Sequence, residues 1–467
     1  MVTRTYPAHP EALVRRPLSM LCVTAFGLTG FTGVALTAPA SAAPAPQASS
    51  TAAAVPDELI VGYVAGASAA QRERARGRAS ARFAERLVAA AIDRIEVEVI
   101  HLPAGTNRSQ AVAQLESDPA VAYAELNFLL SHQATATDPI FTSTNVAQDL
   151  WGMYGDASTP ANAFGTQAAE AWAAGHTGAK SVYVGVIDEG IQFTHPELSG
   201  QVWTNPFDTA NGVDDDGNGY VDDVHGWDFA NGDSTIYDGG TRGSLDDHGT
   251  HVSGTIGAKA NNGVGVAGMN WDVTLISGKF LGRNGGSLAD AVKAVDYFTN
   301  LKTAHGLNIV ATNNSWGGGA FSQTMLDAIT RANVANILFV AAAGNSGTNN
   351  DTTPSYPSNY NVANVIAVAA IDRMGGLASF SQYGATTVDL GAPGVGVWST
   401  TAFNGYSSYN GTSMATPHVT GAAALYASTH PGATAAQIKA AILGSVVPTA
   451  SLSGKTVTGG RLNVSGF

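Results

Sequence analysis

From about residue 138 to residue 467, short apolar or β-branched runs alternate with helical patterns, and this alternation constrains the fold more than any other feature of the chain. The runs at 182–187, 274–279, 308–313, 337–341, 365–368 and 388–390 have the length and composition of strands buried on both faces. Segments such as 288–299 and 323–333 lie between them and are long enough to be crossover helices. Strand, helix and strand in repeated order predict an α/β fold, a mostly parallel central sheet with helices on both faces. In open sheets of this kind, functional groups collect at the carboxyl ends of the strands.

The charge distribution narrows the partners. Only 13% of residues are charged and 45% are hydrophobic, as in a folded protein with a sizeable core. Residues 1–137 carry 11 basic and 11 acidic side chains, and residues 138–467 carry 12 and 25, so the second part holds the whole net charge of −13. An acidic body of this kind excludes nucleic acid as partner, because phosphate binding needs a basic face. The only cysteine, Cys22, sits in an apolar stretch at 18–36, after Arg4, Arg15 and Arg16 and before Ala40-Ser41-Ala42. That sequence predicts a secretory signal over 1–42 cut after Ala42. An uncleaved anchor fits less well, given the glycines and threonines of the stretch and its Ala/Pro-rich exit. The arginine pair hints at twin-arginine export, although the residues after it match poorly. The residues before Cys22 do not suit a lipid-anchored cysteine. Once the signal is removed the protein has no thiol, which excludes a cysteine nucleophile and thiolate metal sites.

Residues 43–56 are rich in Ala, Pro and Ser and read as a linker. A compact pattern follows: a strand over 59–64, a helix over 68–91, a strand over 95–102, a helix over 109–115 and a strand over 121–130. The long first helix rests on Phe83, Leu87 and Ala91 at four-residue spacing. Glu73 and Glu85 interrupt the arginines between Arg72 and Arg86, so that run reads as a solvated face rather than a nucleic-acid site.

Three short segments carry the chemistry. They are Val-Ile-Asp188-Glu-Gly, Asp-Asp-His248-Gly-Thr-His251 and Asn410-Gly-Thr-Ser413-Met-Ala-Thr-Pro. An acid, an imidazole and a hydroxyl framed by small residues are what nucleophilic acyl transfer requires. His248 and His251 are three apart with no intervening glutamate, so the spacing is not that of a zinc peptidase, and His251 reads as a buried structural histidine. Gly411-Thr-Ser413-Met-Ala415 lacks the final glycine of an α/β-hydrolase elbow. Between the acid and the imidazole, block 208–247 holds eleven aspartates with Arg242 as its only Lys or Arg, charges that repel unless solvated or neutralised. Within it Asp214, Asp216, Asn218, Tyr220 and Asp222 alternate around Gly219, the first part of a Ca2+ loop. His225 stands where a full EF-hand has glutamate. The other reading of the block is a solvated acidic loop.

The order Asp, His, Ser and the residues flanking each resemble the subtilisin-like serine peptidases, or subtilases, over about residues 57–467. The resemblance implies catalytic Asp188, His248 and Ser413, with the Asn345 amide as an oxyanion donor beside the Ser413 backbone N–H. It implies that Ser315, Trp316 and Gly317 bind the substrate backbone and wall its first specificity pocket, with Ser355 at the floor. Neither segment contains an acid, so large neutral side chains are expected before the cut. One departure is Glu189, where the family usually has Ser or Thr; it either raises the effective pKa of the triad or points to solvent. Residues 57–131 resemble the family's small α+β, ferredoxin-like pro-domain, an intramolecular inhibitor, with a processing region at 132–137 and a catalytic domain at 138–467. The expected product is a secreted, monomeric, calcium-stabilised serine endopeptidase acting on proteins or peptides, with no membrane contact after signal removal. Two other readings share these residues: a non-catalytic homologue that uses the cleft for binding, and an esterase on the same triad.

Overall fold

The computed structural model describes residues 54–87, 96–128, 135–239, 246–282 and 285–467. The expected signal segment with Cys22, most of the linker and half of the processing region lie outside these residues. The chain divides after Leu129 into two units.

In the first unit, β1 (Ala54–Tyr63), α1 (Ala69–Arg78), β2 (Arg82–Leu87), β3 (Val97–His101), α2 (Arg108–Glu116) and β4 (Val121–Phe128) follow in order. The four strands form an antiparallel sheet in the order β2-β3-β1-β4, the ferredoxin-like arrangement. Leu59, Val61 and Tyr63 point to one face of β1, as the two-residue strand period requires, and join Ala75, Ala111 and Leu115 of the helices in one core.

Two expectations need correction here. The helix expected over 68–91 is α1 followed by β2. A capping box of Ser68 and Gln71 starts α1, which stops at Arg78, and Ser80 at φ 52° turns the chain into the strand. Phe83, counted above on an apolar helix face, is half exposed, with the Arg76 guanidinium 5.7 Å from its ring centre. The arginines are a solvated face only in part: Arg74, Arg78 and Arg86 are about half exposed, while Arg72 and Arg76 are largely buried, and Arg72, Arg74, Arg76 and Arg78 are paired with buried acids. Arg72 and Arg76 reach the buried Glu98 at 3.2 and 2.5 Å, and Arg74 and Arg78 each reach the buried Asp118 at 2.9 Å. The bond from Arg74, helped by the Ala120 N–H, holds the Asp118 carboxyl well below the usual carboxylate range.

The second unit contains α3 (Ala168–Ala173), β5 (Gly178–Asp188), β6 (Gly226–Asp228), α4 (Asp247–Gly257), β7 (Asp272–Lys279), α5 (Leu288–His305) and β8 (Ile309–Asn314). It continues with α6 (Gln323–Val334), β9 (Leu338–Ala342), β10 (Val365–Ile371), β11 (Leu390–Pro393), β12 (Val397–Thr401), β13 (Gly405–Tyr409), α7 (Thr412–Thr429), α8 (Ala435–Gly444), β14 (Val447–Pro448) and β15 (Gly460–Arg461). Nine strands form one sheet, β14-β15-β11-β10-β9-β8-β5-β7-β6, parallel throughout except where β14 meets β15. Strands β12 and β13 make a separate hairpin.

Helices cover both faces, as expected. Val182, Val184 and Val186 of β5 point into the core shared with α4 and α7. Tyr183 and Ile187 point into the other core, which contains α5 and α6. The same alternation places Leu338 and Val340 of β9 on the first face and Phe339 and Ala341 on the second. Beyond β5 the chain builds β6 and β7 on one side and then returns to build β8 on the other, so the strand order reverses at β5. The crevice at such a reversal is where open α/β sheets place their sites.

Part of the acidic block is neutralised by a cation from outside it. Lys279, at the end of β7, is fully buried, with its ammonium 2.6 Å from Asp238, 2.6 Å from Asp246 and 3.9 Å from Asp228. Burial alone would lower its pKa, but the bonds to Asp238 and Asp246 outweigh it and the pKa is raised. Asp228 and Asp246 are themselves fully buried. Lys279→Met keeps the volume and removes the only cation paired with these two among the described residues. Breaking a buried pair this way costs about 3–5 kcal/mol. The expected result is a large drop in the denaturation midpoint; an unchanged midpoint would show that the three carboxylates are neutralised in another way.

Candidate functional site

The site grows from the carboxyl end of β5. Asp188 is its last residue and is fully buried. Its Oδ1 accepts the backbone N–H of Glu189 at 2.8 Å and the Nδ1–H of His248 at 2.8 Å. An ionised carboxylate cannot donate, so the imidazole must carry its proton on Nδ1 and present the Nε2 lone pair outward. Burial works against the imidazolium, but the charge and hydrogen bond of Asp188, and then the charge of Glu189, raise the pKa of His248 above its ordinary value. His248 is the second residue of α4, which starts from Asp246 at φ 71°. Gly249 follows it because a Cβ there would lie 2.1 Å from the carbonyl oxygen of Gly190, so only glycine lets α4 approach β5 this closely.

Ser413 is likewise the second residue of its helix, α7, which packs against α4. Pro417 lies inside α7 and has no N–H for the Ser413 carbonyl four residues earlier. That carbonyl is bonded instead by the Ser315 hydroxyl at 2.8 Å, and the Ser413 hydroxyl in turn donates to the Ser315 carbonyl at 3.0 Å. The proline therefore ties the start of α7 to the residue after β8. In this arrangement the Ser413 hydroxyl is bonded to Ser315 rather than to His248.

Asn345 follows β9. Its Oδ1 accepts both the backbone N–H of Thr412, at 2.8 Å, and the Thr412 hydroxyl, at 2.9 Å. With the oxygen held twice, the amide nitrogen and its two N–H groups face the space in front of Gly411 and Ser413. One cleft of about 370 Å³ is lined by Ser413, Asn345, Ser315, Trp316, Gly317 and Ser355, among others. Six of the positions expected to act together thus share one cavity, and no acid is among its lining residues. Trp316 packs edge-on against Phe280, with ring centres 4.9 Å apart.

His251 is fully buried; its Nε2 lies 3.0 Å from the carbonyl of Val397, and its ring stacks on Tyr409 at 4.5 Å. Burial lowers its pKa to about 3, so it is a neutral packing histidine. Glu189 does not simply point to solvent: it is part-buried, and its Oε2 accepts the backbone N–H of His248 at 3.3 Å.

The structure gathers some of the expected calcium ligands and separates others. Asp214 and Asp216 both accept the backbone N–H of Asn218, at 3.1 and 3.0 Å, so two carboxylates converge, while the Asn218 side-chain oxygen accepts the Tyr220 N–H at 2.7 Å. Asp222 is turned, at φ 58°, toward the backbone N–H groups of Asn211 and Gly212. The Tyr220 ring packs among Trp227, Phe229 and Tyr297. Beside the loop, Asp208 is 1% exposed and its Oδ2 has no partner. Hard oxygen donors of this kind suit Ca2+, yet no three or more His, Cys, Asp or Glu side chains among the described residues form a ready metal cage. A second acidic pair escaped the sequence reading. Asp138 and Glu197, both fully buried, meet across the turn at Asn261 and Asn262. Burial, reinforced by the charge of Asp138, pushes the Glu197 carboxyl up to about 7. The two lie 59 residues apart, so no local motif signals them.

Residues 179–463 match the family described as the subtilase family, and residues 40–127 match the fervidolysin N-terminal prodomain. The chain belongs to the subtilase family. It is 34% identical over 337 residues to a thermophilic serine proteinase of Bacillus sp. (strain AK1), covering 72% of this chain and 70% of that one. Subtilisin DY of Bacillus licheniformis is 38% identical over 269 residues, covering 57% of this chain and 84% of the relative. Among solved structures, one of proteases from Pseudoalteromonas arctica superposes with a TM-score of 0.55 at 29% identity, covering 71% of this chain and 98% of that one. The subtilase described here is therefore a serine-type endopeptidase with an N-terminal prodomain.

Proposed function

We propose that this subtilase hydrolyses peptide bonds through Asp188, His248 and Ser413 with an acyl-enzyme intermediate. The observation that carries the reading is the 2.8 Å bond fixing the His248 tautomer, on a helix, α4, that packs against the helix carrying Ser413 in its first turn. Substrate entering the cleft turns the Ser413 hydroxyl from the Ser315 carbonyl toward Nε2 of His248. His248 takes its proton as Oγ attacks the scissile carbonyl, and Asp188 stabilises the imidazolium. The oxyanion forms against the Ser413 N–H and the Asn345 amide, near the positive end of α7. His248 then returns the proton to the leaving amine, and a water repeats the sequence to release the acyl group. The neutral cleft with Trp316 and Ser355 favours large neutral side chains before the cut. An esterase on the same triad, or a homologue that only binds, would lack this activity on peptides.

The chain reads as a precursor: a signal over 1–42, a linker over 43–56, an inhibitory pro-domain over 57–131, processing at 132–137 and a secreted, monomeric catalytic domain over 138–467. Among the described residues no helix is long and apolar enough to cross a membrane. The convergence of Asp214 and Asp216 on one backbone N–H supports a calcium loop there; Asn218, Tyr220 and Asp222 would have to turn toward the ion to complete it. Calcium would supply stability and no step of the reaction.

Three experiments test this reading. Ser413→Ala should abolish peptide hydrolysis and leave the pro-domain attached in a protease-deficient host; normal maturation there would rule out self-processing. Asn345→Ala should fold and lose turnover by about 10²–10³, a magnitude known from subtilisin itself, with little change in KM. An equal loss appearing in KM would place Asn345 in ground-state binding instead. Chelation should lower the thermal midpoint of the wild type, since an ion bound only to the folded state stabilises it by mass action. Replacing Asp214 and Asp216 together by alanine should remove most of that response. A double mutant that keeps it would move the ion elsewhere, with the Asp138–Glu197 pair the next place to look. A wild type with no response would leave the acidic block a solvated loop.

A further inference from the structure

Glu189 occupies the position where subtilases usually carry a hydroxyl residue, and its surroundings give the exchange a physical consequence. Asp188 Oδ1 is satisfied by two donors, but its Oδ2 is buried and has no protein partner. The Glu189 carboxylate brings no donor to that oxygen. It turns instead to the first turn of α4, where its Oε2 accepts the His248 backbone N–H at 3.3 Å. His248 is thus held by two adjacent carboxylates, Asp188 on its ring and Glu189 on its main chain.

We propose that Glu189 is a positioning residue that sets the pH range of hydrolysis, anchoring the His248 backbone and adding a second negative charge to the imidazole's surroundings. This rests on His248 being the general base. Other charged and titratable groups face the pair from every side. Asp246 and Asp247 begin α4, and Asp247 accepts the Ala402 N–H at 2.8 Å. His251, one turn along α4, stays neutral under Tyr409 of β13. Lys279 of β7 is committed to Asp238 and Asp246. Among the described residues, then, no free cation offsets Glu189. Burial and the charge of Asp188 raise its own pKa, yet its charge still contributes to raising that of His248.

Activity requires neutral His248 and is lost as pH falls through its pKa. A neighbouring anion raises that pKa and moves the loss to higher pH. Removing the anion should therefore extend activity toward acid.

The test measures kcat/KM against pH on the mature enzyme with an uncharged peptide substrate, for the wild type, Glu189→Gln and Glu189→Ser. Gln keeps an oxygen for the His248 N–H; Ser supplies the small hydroxyl usual in the family. The ratio of kcat/KM on the acid limb to that on the plateau should rise about two- to fivefold in both variants. In 1 M salt the gap between wild type and variants should shrink, because the charge is partly exposed. The low-field Nδ1 proton of His248, followed by NMR, should titrate at lower pH in both variants. Superimposable profiles and NMR midpoints would overturn the role of Glu189 while leaving the triad standing. Hydrolysis that survives in Ser413→Ala would instead overturn the reading beneath it.

Discussion

A carboxylate with no exposed surface, at the end of a central strand, is the constraint around which this molecule is organised. A buried anion is costly unless it is hydrogen-bonded and faces a group able to take a positive charge. Asp188 meets that condition through the His248 ring and the Glu189 N–H. The sheet supplies the rest. β7 pairs with β5 so that Lys279 lies beside Asp188, and the Phe280 N–H closes on the Asp188 carbonyl at 3.0 Å. Lys279 then reaches Asp246, two residues before His248. One strand pairing thus holds the acid and the start of the helix that carries its partner.

His248 and Ser413, the two side chains proposed to react, are presented in the same way, each as the second residue of a helix. At Ser413 the positive end of α7 favours negative charge in front of the helix. For His248 the same field opposes the imidazolium, so the carboxylates around it have to outweigh both the helix and burial. Pro417 adds a local device. By withholding an N–H it frees the Ser413 carbonyl for the Ser315 hydroxyl, and this joins the start of α7 to the segment after β8.

What could be read in advance follows from how local each signal is. β5, β7, β8 and β9 stand out because a strand covered on both faces is a continuous apolar or β-branched run. The segments of Asp188, His248 and Ser413 stand out because small residues frame each reactive group. β2 was missed because 82–87 mixes charged and apolar residues that suit either period. The β12–β13 hairpin was missed because Ser, Thr, Tyr and Gly dominate it. The Lys279 cluster and the Asp138–Glu197 pair were invisible because only the folded sheet brings their members together. Counting charges along 208–247 could not reveal a counter-ion supplied from residue 279.

That counter-ion differs in kind from a metal. A bound ion leaves when its concentration in the medium falls, and its site then becomes a set of repelling anions. The ammonium of Lys279 is attached to the backbone it stabilises, so its local concentration does not depend on what surrounds the protein. Asp246, at the start of α4, and its neighbour Asp238 are thus neutralised by the chain itself, and the start of α4 keeps its geometry in ion-poor surroundings.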